Sequence, residues 1–147
     1  MNSFQKDLDF GKQCEQYLAD LYPDKLEKLD GFKSDFRFKQ SGAELELKVE
    51  RRCTSATPNI FVEHLSNKQY KTLGGPFKAL QNGSAYFTCM FWPTKEMFCY
   101  ETQALTDYLN IANLNEIEVR VGGSEATGFI VKRADIEHLR IDFESLK

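Results

Sequence analysis

Three side chains able to take part in chemistry, Asp35, Glu46 and Lys48, lie within the segment DFRFKQSGAELELKVE at residues 35–50. Apolar and charged residues alternate along both halves of this segment, which predicts two strands joined by a tight turn. Because side chains alternate across a strand, burying the apolar set leaves the three charged groups together on the opposite face. Two carboxylates on one face could share a bound cation.

The turn decides how these side chains face one another. With Ser41 and Gly42 as a two-residue turn, Asp35 lies opposite Lys48 and diagonal to Glu46. The plainer interpretation is an amphipathic hairpin with a solvated charged face, since an acidic residue two positions before a lysine is a weak pattern.

A third carboxylate, Glu15, lies on the first predicted helix, which runs from an Asn2/Ser3 cap to about Tyr22. At about 100° per residue, Glu15 falls inside the apolar stripe of this helix. A carboxylate facing a core is costly unless it is paired or bound to a cation, so Glu15 is either a functional residue or half of a structural ion pair with Lys48 or Arg37. The stripe also contains Phe4, Leu8, Gly11, Leu18 and Tyr22, and Gly11 is expected to let the helix approach the sheet closely.

The remaining pattern predicts a single α/β domain over residues 1–147 with the order helix, three strands, helix, strand, then additions. The run SAYFTCMFW at 84–92 is almost entirely apolar, which indicates the most central strand of the sheet. The other predicted strands are 32–39, 44–51, 60–65, 97–101, 117–121 and 128–132. Short helices are expected on either side of a break at 74–76, at 103–110 and after Lys132.

Composition narrows the class of protein. The chain has 147 residues and a net charge of −3, so contact with a polyanion requires a local basic patch or bound cations. No apolar run approaches ~18 residues and the amino-terminal segment is polar, which predicts a soluble cytoplasmic protein without a membrane span. The four cysteines form no CxxC pair, which suits reduced thiols, although Cys89 and Cys99 could face each other across a hairpin.

Glu15 on a first helix, Asp35 on a first strand and Glu46-Leu47-Lys48 on a second resemble the PD-(D/E)XK nuclease superfamily. The resemblance covers roughly residues 4–92, with Ser34 in place of the proline. It implies a restriction-endonuclease-like αβββαβ core, a central mixed sheet flanked by helices and, here, extra carboxyl-terminal strands and a helix. The run TPNIFVE at 57–63 also resembles a third-strand pattern of small phage-type nucleases.

The resemblance implies a role for each residue in divalent-metal-dependent cleavage of phosphodiester bonds. Asp35, Glu46 and the backbone carbonyl of Leu47 would hold Mg²⁺, for which Mn²⁺ could substitute. Lys48 would orient or deprotonate the attacking water and offset charge on the phosphate. Glu15 would be an outer ligand of the same ion or part of a second metal site.

Other charged residues near this motif are candidates for further roles. Glu63, on the next predicted strand, could join the acidic cluster or be an ordinary solvated carboxylate. Nearby basic side chains could contact phosphates without reading base sequence, although each could equally be a solvated surface charge. They are Arg37, Lys39, Arg51, Arg52, Lys68, Lys71 and Lys78, to which Lys132-Arg133 could add.

The expected substrate is DNA rather than RNA, cut with structure selectivity or weak sequence specificity, by a protein acting alone, as a homodimer or inside a larger nucleic-acid-processing complex. Two other classes stay open. A binding module that kept the fold without the activity would not bind metal at Asp35 and Glu46. An accessory interaction protein would have Glu15 paired to a basic side chain far from Asp35.

Overall fold

The structure is a computed structural model that describes residues 3–30, 33–121 and 124–147. Asn2, Phe32 and the side chains of Ser3 and Phe4, on which some expectations rested, lie outside the described part. The helices are α1 (Ser3–Leu21), α2 (Gly75–Gln81), α3 (Thr102–Ile111) and α4 (Arg133–Ile136). The strands are β1 (Leu26–Lys28), β2 (Phe36–Phe38), β3 (Glu44–Glu50), β4 (Asn59–Asn67), β5 (Thr72–Leu73), β6 (Tyr86–Phe91), β7 (Glu96–Glu101), β8 (Glu116–Val121), β9 (Ser124–Lys132) and β10 (Arg140–Ile141).

The central sheet has six strands in the order β1-β2-β3-β6-β7-β10. Strands β3 and β6 run parallel and the other neighbours run antiparallel, which confirms the predicted α/β fold with a mixed central sheet. Strand β6 lies inside the sheet, and five of its six residues are buried because both faces are covered. This position agrees with the apolar run at 84–92.

Each face of the central sheet has its own hydrophobic core. On one face, Leu18 of α1 and the carboxyl-terminal Phe143 pack against Phe36, Phe38 and Leu45. On the other face, a second sheet and the helices α2, α3 and α4 cover a second hydrophobic cluster. The central sheet contributes Phe87, Cys89, Phe91, Phe98 and Tyr100 to this cluster. Alternation along β3 therefore directs Leu45 and Leu47 toward α1, and Glu46 and Lys48 toward the second sheet.

The strand predicted at 60–65 is present as β4, but it belongs to the second sheet and is not a neighbour of β3. That sheet has the order β5-β4-β9-β8. The three strands of the central sheet that precede α2 are instead β1, β2 and β3. Strand β1 was not predicted, because Leu26–Lys28 offers only three residues of pattern. The order helix, three strands, helix, strand is thus present with β1 as its first strand and β4–β5 inserted before α2.

Two local expectations are corrected. The segment before the break at 74–76 forms the end of β4 and the short β5, and only the segment after it is helical. Cys89 pairs with Phe98 and Cys99 with Thr88, so the two thiols lie on opposite faces of the hairpin. All four cysteines are free.

Leu18 of the apolar stripe of α1 and the neighbouring Cys14 are buried, whereas Leu8 of the stripe is 42% and the neighbouring Leu21 is 50% exposed. A Cβ added at Gly11 would meet nothing within 4 Å, so this glycine is not needed for a close approach to the sheet. Among the described helices, none has the length and apolar character needed to cross a membrane.

Candidate active site

The hairpin that carries Asp35 and Glu46 has a longer turn than expected. Phe36 pairs with Leu45, and the Phe38 N–H donates to the Ala43 carbonyl at 2.8 Å, which leaves a four-residue loop at 39–42. Gly42, at φ +79°, closes this loop. The two-residue turn at Ser41-Gly42 was wrong by a two-residue shift in register, which keeps every side chain on its predicted face but brings Asp35 next to Glu46 rather than Lys48.

Pairing between β2 and β3 ends at Phe36. The backbone bends at Asp35, and the Asp35 side chain takes the place of a strand partner at the edge of β3. The Asp35 N–H donates to the Leu45 carbonyl at 3.1 Å, and Asp35 Oδ2 accepts a hydrogen bond from the Leu47 N–H at 2.8 Å. Since the N–H and C=O of one strand residue point to the same side, the Leu47 carbonyl faces this same open edge. The Leu47 carbonyl is thus available for a ligand beside the Asp35 carboxylate.

The segment before Asp35 is anchored by a buried contact that no sequence signal indicated. Ser34 is buried, and its hydroxyl lies 2.5 Å from the hydroxyl of Ser84, which precedes β6. This hydrogen bond ties the approach to Asp35 to the central strand. Ser34 therefore has a structural role, because it anchors the segment that leads into Asp35.

Helix α1 brings Glu15 to the same edge. A cavity of about 450 Å³ opens between the amino-terminal half of α1 and β3. Its lining contains every residue that the sequence predicted to be catalytic, together with Leu47. These residues are Glu15, Asp35, Glu46, Leu47 and Lys48.

Two of the three carboxyl groups, Glu15 and Glu46, have a raised pKa in the folded protein. Burial, and then the charge of Asp35 and a hydrogen bond with it, raises the pKa of Glu46 to about 8. The same causes in the same order raise the pKa of Glu15 to about 7. Asp35 is the shared partner in both cases, and the charge of Glu15 also raises the pKa of Glu46, more weakly. A bound cation would relieve this crowding by stabilising all three ionised forms.

Neither expected ion pair of Glu15 is present, since Glu15 forms no salt bridge with Lys48 or Arg37 in the described part of the chain. Arg37 pairs instead with Glu44 at 3.5 Å and with Glu27 at 3.9 Å. Glu15 is half-buried on α1, and the group that it interacts with there is the Asp35 carboxyl rather than a basic partner.

Lys48 is exposed and makes no salt bridge with any described residue, which leaves its ammonium group available to a ligand. A second basic side chain near the three carboxyl groups is Lys78 of α2, whose charge opposes the rise in the pKa of Glu46. Glu50, two residues beyond Lys48 on β3, has a pKa raised by burial and lowered in part by Lys48.

Arg51 is the one residue of the predicted nucleic-acid-binding set that lines the cavity. Its guanidinium lies 4.0 Å from the ring centroid of Phe10 and 3.5 Å from Asp7 Oδ1. Asp7 and Phe10 also line the cavity, and sequence reasoning missed both. Phe10 flanks the apolar stripe of α1, but the pattern gave no sign that it would support an arginine at the mouth of a site.

The other predicted basic contacts lie outside the cavity. Lys39 donates from Nζ to the Pro23 carbonyl at 2.7 Å, and Lys68 pairs with Glu118 of the second sheet. Arg52 is exposed just after β3, and Lys71 is exposed in the turn before β5 with φ +54°. Only Arg51 of this set thus shares the cavity with the carboxyl groups.

Arg133 has a structural role rather than a place in a basic patch. Its Nη1 donates to the carbonyls of Thr57 at 2.7 Å, Thr54 at 3.3 Å and Ser55 at 3.4 Å. Its guanidinium also lies 4.4 Å from the Phe98 ring centroid. Arg133 therefore fastens the loop between β3 and β4.

The donor set at the edge of β3 is suited to a hard divalent cation. Asp35 and Glu46 supply carboxylate oxygens and Leu47 supplies a carbonyl oxygen, which are the ligand types that Mg²⁺ and Mn²⁺ prefer. Within residues 3–30, 33–121 and 124–147, no group of three or more His, Cys, Asp and Glu side chains is arranged to hold a metal ion. The fit of a divalent cation therefore rests on the Asp35 and Glu46 carboxylates and the Leu47 carbonyl oxygen, and Glu15 lines the same cavity.

No protein-family model, curated protein or solved structure matches this chain.

Proposed function

We propose that this protein is a divalent-metal-dependent nuclease that hydrolyses phosphodiester bonds in DNA. The observation that carries the proposal is the convergence of Glu15, Asp35, Glu46 and Lys48 on one cavity at the open edge of β3. Three mutually repelling carboxyl groups lower the stability of the fold, and the neighbouring Lys48 makes no salt bridge with a described residue. Such an arrangement is expected at a functional site rather than in a purely structural cluster.

The residues of the chain divide the work by chemistry. Asp35 and Glu46, with the Leu47 carbonyl, would hold Mg²⁺, and the Leu47 N–H fixes the orientation of the Asp35 carboxylate. When bound, the ion supplies Lewis-acid chemistry, which offsets the negative charge of the phosphodiester and makes water more acidic. Glu15 adds negative charge from α1 and thereby favours cation binding.

Lys48 is the group suited to the reacting phosphate. Its ammonium can orient an attacking water and can offset the charge that develops on the phosphate oxygens. Arg51, held by Phe10 at the same cavity, can contact a neighbouring phosphate of the backbone. Such contacts position a strand without reading its bases, which fits structure-selective or weakly sequence-specific cleavage.

Purified protein incubated with branched, nicked and linear DNA, and with RNA, tests this function. Cleavage of at least one DNA in Mg²⁺ or Mn²⁺, and of none in EDTA, is the expected result. Binding of DNA without cleavage under every condition would instead favour a nuclease-like fold that serves as a binding module. Arg37 is paired with Glu44 and Lys68 with Glu118, which limits the basic surface available to such a module.

A further inference from the structure

Three aromatic rings form a cluster beside the candidate active site, at the end of the cavity where Arg51 lies. Phe10 and Tyr17 of α1 each contact Trp92 edge to face, with ring centroids 5.5 Å and 5.6 Å apart. The Trp92 N–H donates to the Glu50 carbonyl at 2.9 Å, which places the turn between β6 and β7 beside the last residue of β3. Phe10 also lines the active-site cavity, so this aromatic cluster begins at the cavity wall.

Two cations lie over rings of the aromatic cluster. The Arg51 guanidinium lies 4.0 Å from the ring centroid of Phe10. The ammonium group of Lys95 lies 3.6 Å from the ring centroid of Trp92 and 5.6 Å from that of Tyr17. Cations and rings therefore alternate from the cavity wall to the turn between β6 and β7.

Both cations are available to an anionic ligand. Lys95 Nζ donates to the Trp92 carbonyl at 2.6 Å and makes no salt bridge with a described residue. An ammonium has three N–H donors, so it can also donate to a phosphate. Arg51 lies 3.5 Å from Asp7, but the Asp7 side chain is 70% exposed, and such a pair is weak enough to give way to a phosphate.

The rings of the aromatic cluster differ in exposure from those that serve only the two cores. Phe36 and Phe91 are fully buried, and Phe91 directly precedes Trp92 in the chain. Phe10, Tyr17 and Trp92 are each half-buried, so part of their surface is open to solvent. Proteins that bind single strands combine partly exposed rings, on which bases stack, with cations that contact the phosphates.

We propose that the aromatic cluster binds an unpaired segment of the DNA strand where it leaves the active-site cavity. Bases of this segment stack on the exposed ring surface, and Arg51 and Lys95 contact its phosphates. Bases inside a duplex stack on one another and cannot reach the rings, so the preferred DNA carries a flap or an overhang. This inference rests on the proposed nuclease function and narrows its substrate class to DNA with a single-stranded segment. It also adds Lys95 to the residues that contact the substrate.

Trp92 is the only tryptophan of the chain, so its fluorescence reports on the aromatic cluster without a label. In EDTA, where no cleavage occurs, a single-stranded oligodeoxythymidine should quench this fluorescence until the protein is saturated. A blunt duplex of the same length should bind more weakly and quench little. Absence of quenching by the single strand, or equal quenching by both DNAs, would overturn the inference.

The role of Lys95 is tested by two lysine-to-glycine variants that make the same backbone change. Lys95 and Lys71 have φ values of +60° and +54°, so glycine suits both positions. Lys95→Gly should reduce the slope of log affinity for the single strand against log salt by about 0.7, as expected for one lost phosphate contact. Lys71→Gly, an exposed position outside the cavity, should keep the wild-type slope. A wild-type slope in Lys95→Gly would overturn the inference.

The contribution of the rings is tested by Phe10→Leu, which keeps an apolar side chain on α1. It should weaken binding of the single strand roughly 5-fold to 100-fold and change binding of the duplex much less. Tyr70→Leu is the matched control, because Tyr70 is 74% exposed in the turn before β5 and lies outside the cavity. An equal loss for both DNAs in Phe10→Leu would contradict stacking of unpaired bases on this ring.

Binding in EDTA and cleavage in Mg²⁺ separate this inference from the proposed function. A protein that cleaves blunt duplex as fast as flapped DNA, and whose fluorescence no single strand quenches, would overturn the inference and keep the nuclease function. A protein that is quenched as expected but cleaves no DNA would overturn the nuclease function and leave the aromatic cluster as a site for single strands.

Discussion

The Asp35 carboxylate accepts a 2.8 Å hydrogen bond from the backbone N–H of Leu47, across the edge of β3 that β2 leaves open. One oxygen of Asp35 thus takes the place of a strand partner, and the same carboxyl group contacts both Glu15 and Glu46. This single bond orients the acidic site. Asp35→Asn keeps an acceptor for the Leu47 N–H while removing the charge, so it is the cleanest variant for separating geometry from electrostatics.

The first prediction concerns stability and pH. The native state raises the pKa of Glu15 to about 7 and that of Glu46 to about 8, so between about pH 4.5 and 8 it binds more protons than the unfolded chain. The free energy of unfolding without metal should therefore be highest on the acidic side of this window, fall as the pH rises through it, and then level off. Denaturant unfolding from pH 5 to 9 in EDTA measures this.

The Asp35→Asn variant supplies the control for that profile. Its decline should be shallower, because the charge of Asp35 no longer opposes ionisation of Glu15 and Glu46, while burial still does. Equal slopes in wild type and Asp35→Asn would show that Asp35 is not the shared partner of the two groups.

The second prediction concerns metal binding. Millimolar Mn²⁺ or Mg²⁺ should raise the melting temperature at neutral pH, because the ion binds the native carboxylates and not the unfolded chain. Glu46→Gln should stabilise the metal-free protein by relieving repulsion and should remove most of the metal effect. Differential scanning calorimetry measures both, and a wild-type melting temperature indifferent to Mn²⁺ would argue against a metal site here.

The third prediction separates Lys48 from the metal ligands. Lys48→Ala should lower turnover about 100-fold or more while leaving the Mn²⁺-induced rise in melting temperature intact, because the ammonium acts on water and phosphate. Lys33→Ala is a suitable control, since Lys33 is exposed and does not line the cavity. Loss of the metal effect in Lys48→Ala would mean that the lysine supports the ligands rather than the reaction.

The fourth prediction concerns Arg51, at the mouth of the cavity. Arg51→Ala should weaken DNA binding and reduce the slope of log affinity against log salt by about 1, as expected for one lost phosphate contact. Its cost in stability should stay near 1 kcal/mol, because both of its contacts are partly exposed. Lys71→Ala should have a smaller effect than Arg51→Ala, since Lys71 lies outside the cavity. Equal effects in binding titrations would place the DNA path over the second sheet.

The alternating pattern at 35–50 was sufficient to predict which face Asp35, Glu46 and Lys48 share, because an even shift in register changes no face. It could not predict which carboxylate Asp35 would meet, since that depends on a loop of four residues rather than two. Glu15 was found because a carboxylate inside an apolar stripe is costly. The helix pattern alone did not identify Asp35 as its partner, since such a pattern carries no information about what the helix packs against; only the family resemblance put the two carboxyl groups at one site.

Larger differences arise where partners are distant in sequence. The sequence at 60–65 indicates a strand, yet nothing local shows that β9 pairs with β4 from a segment more than 60 residues later. Strand β1 pairs with β2 over three residues, too few for a periodic signal. The contact of Ser34 with Ser84 likewise exists only after β6 has paired with β3 in the central sheet.

The most direct measurement is cleavage of labelled DNA by wild type, Asp35→Ala and Glu46→Ala, purified in parallel, with Arg120→Ala on the second sheet as control. Wild type and Arg120→Ala should cleave in Mg²⁺ or Mn²⁺ and stop in EDTA. Asp35→Ala and Glu46→Ala should retain DNA binding and lose cleavage. Cleavage by Glu46→Ala at the wild-type rate would contradict the assignment of this cavity as the active site.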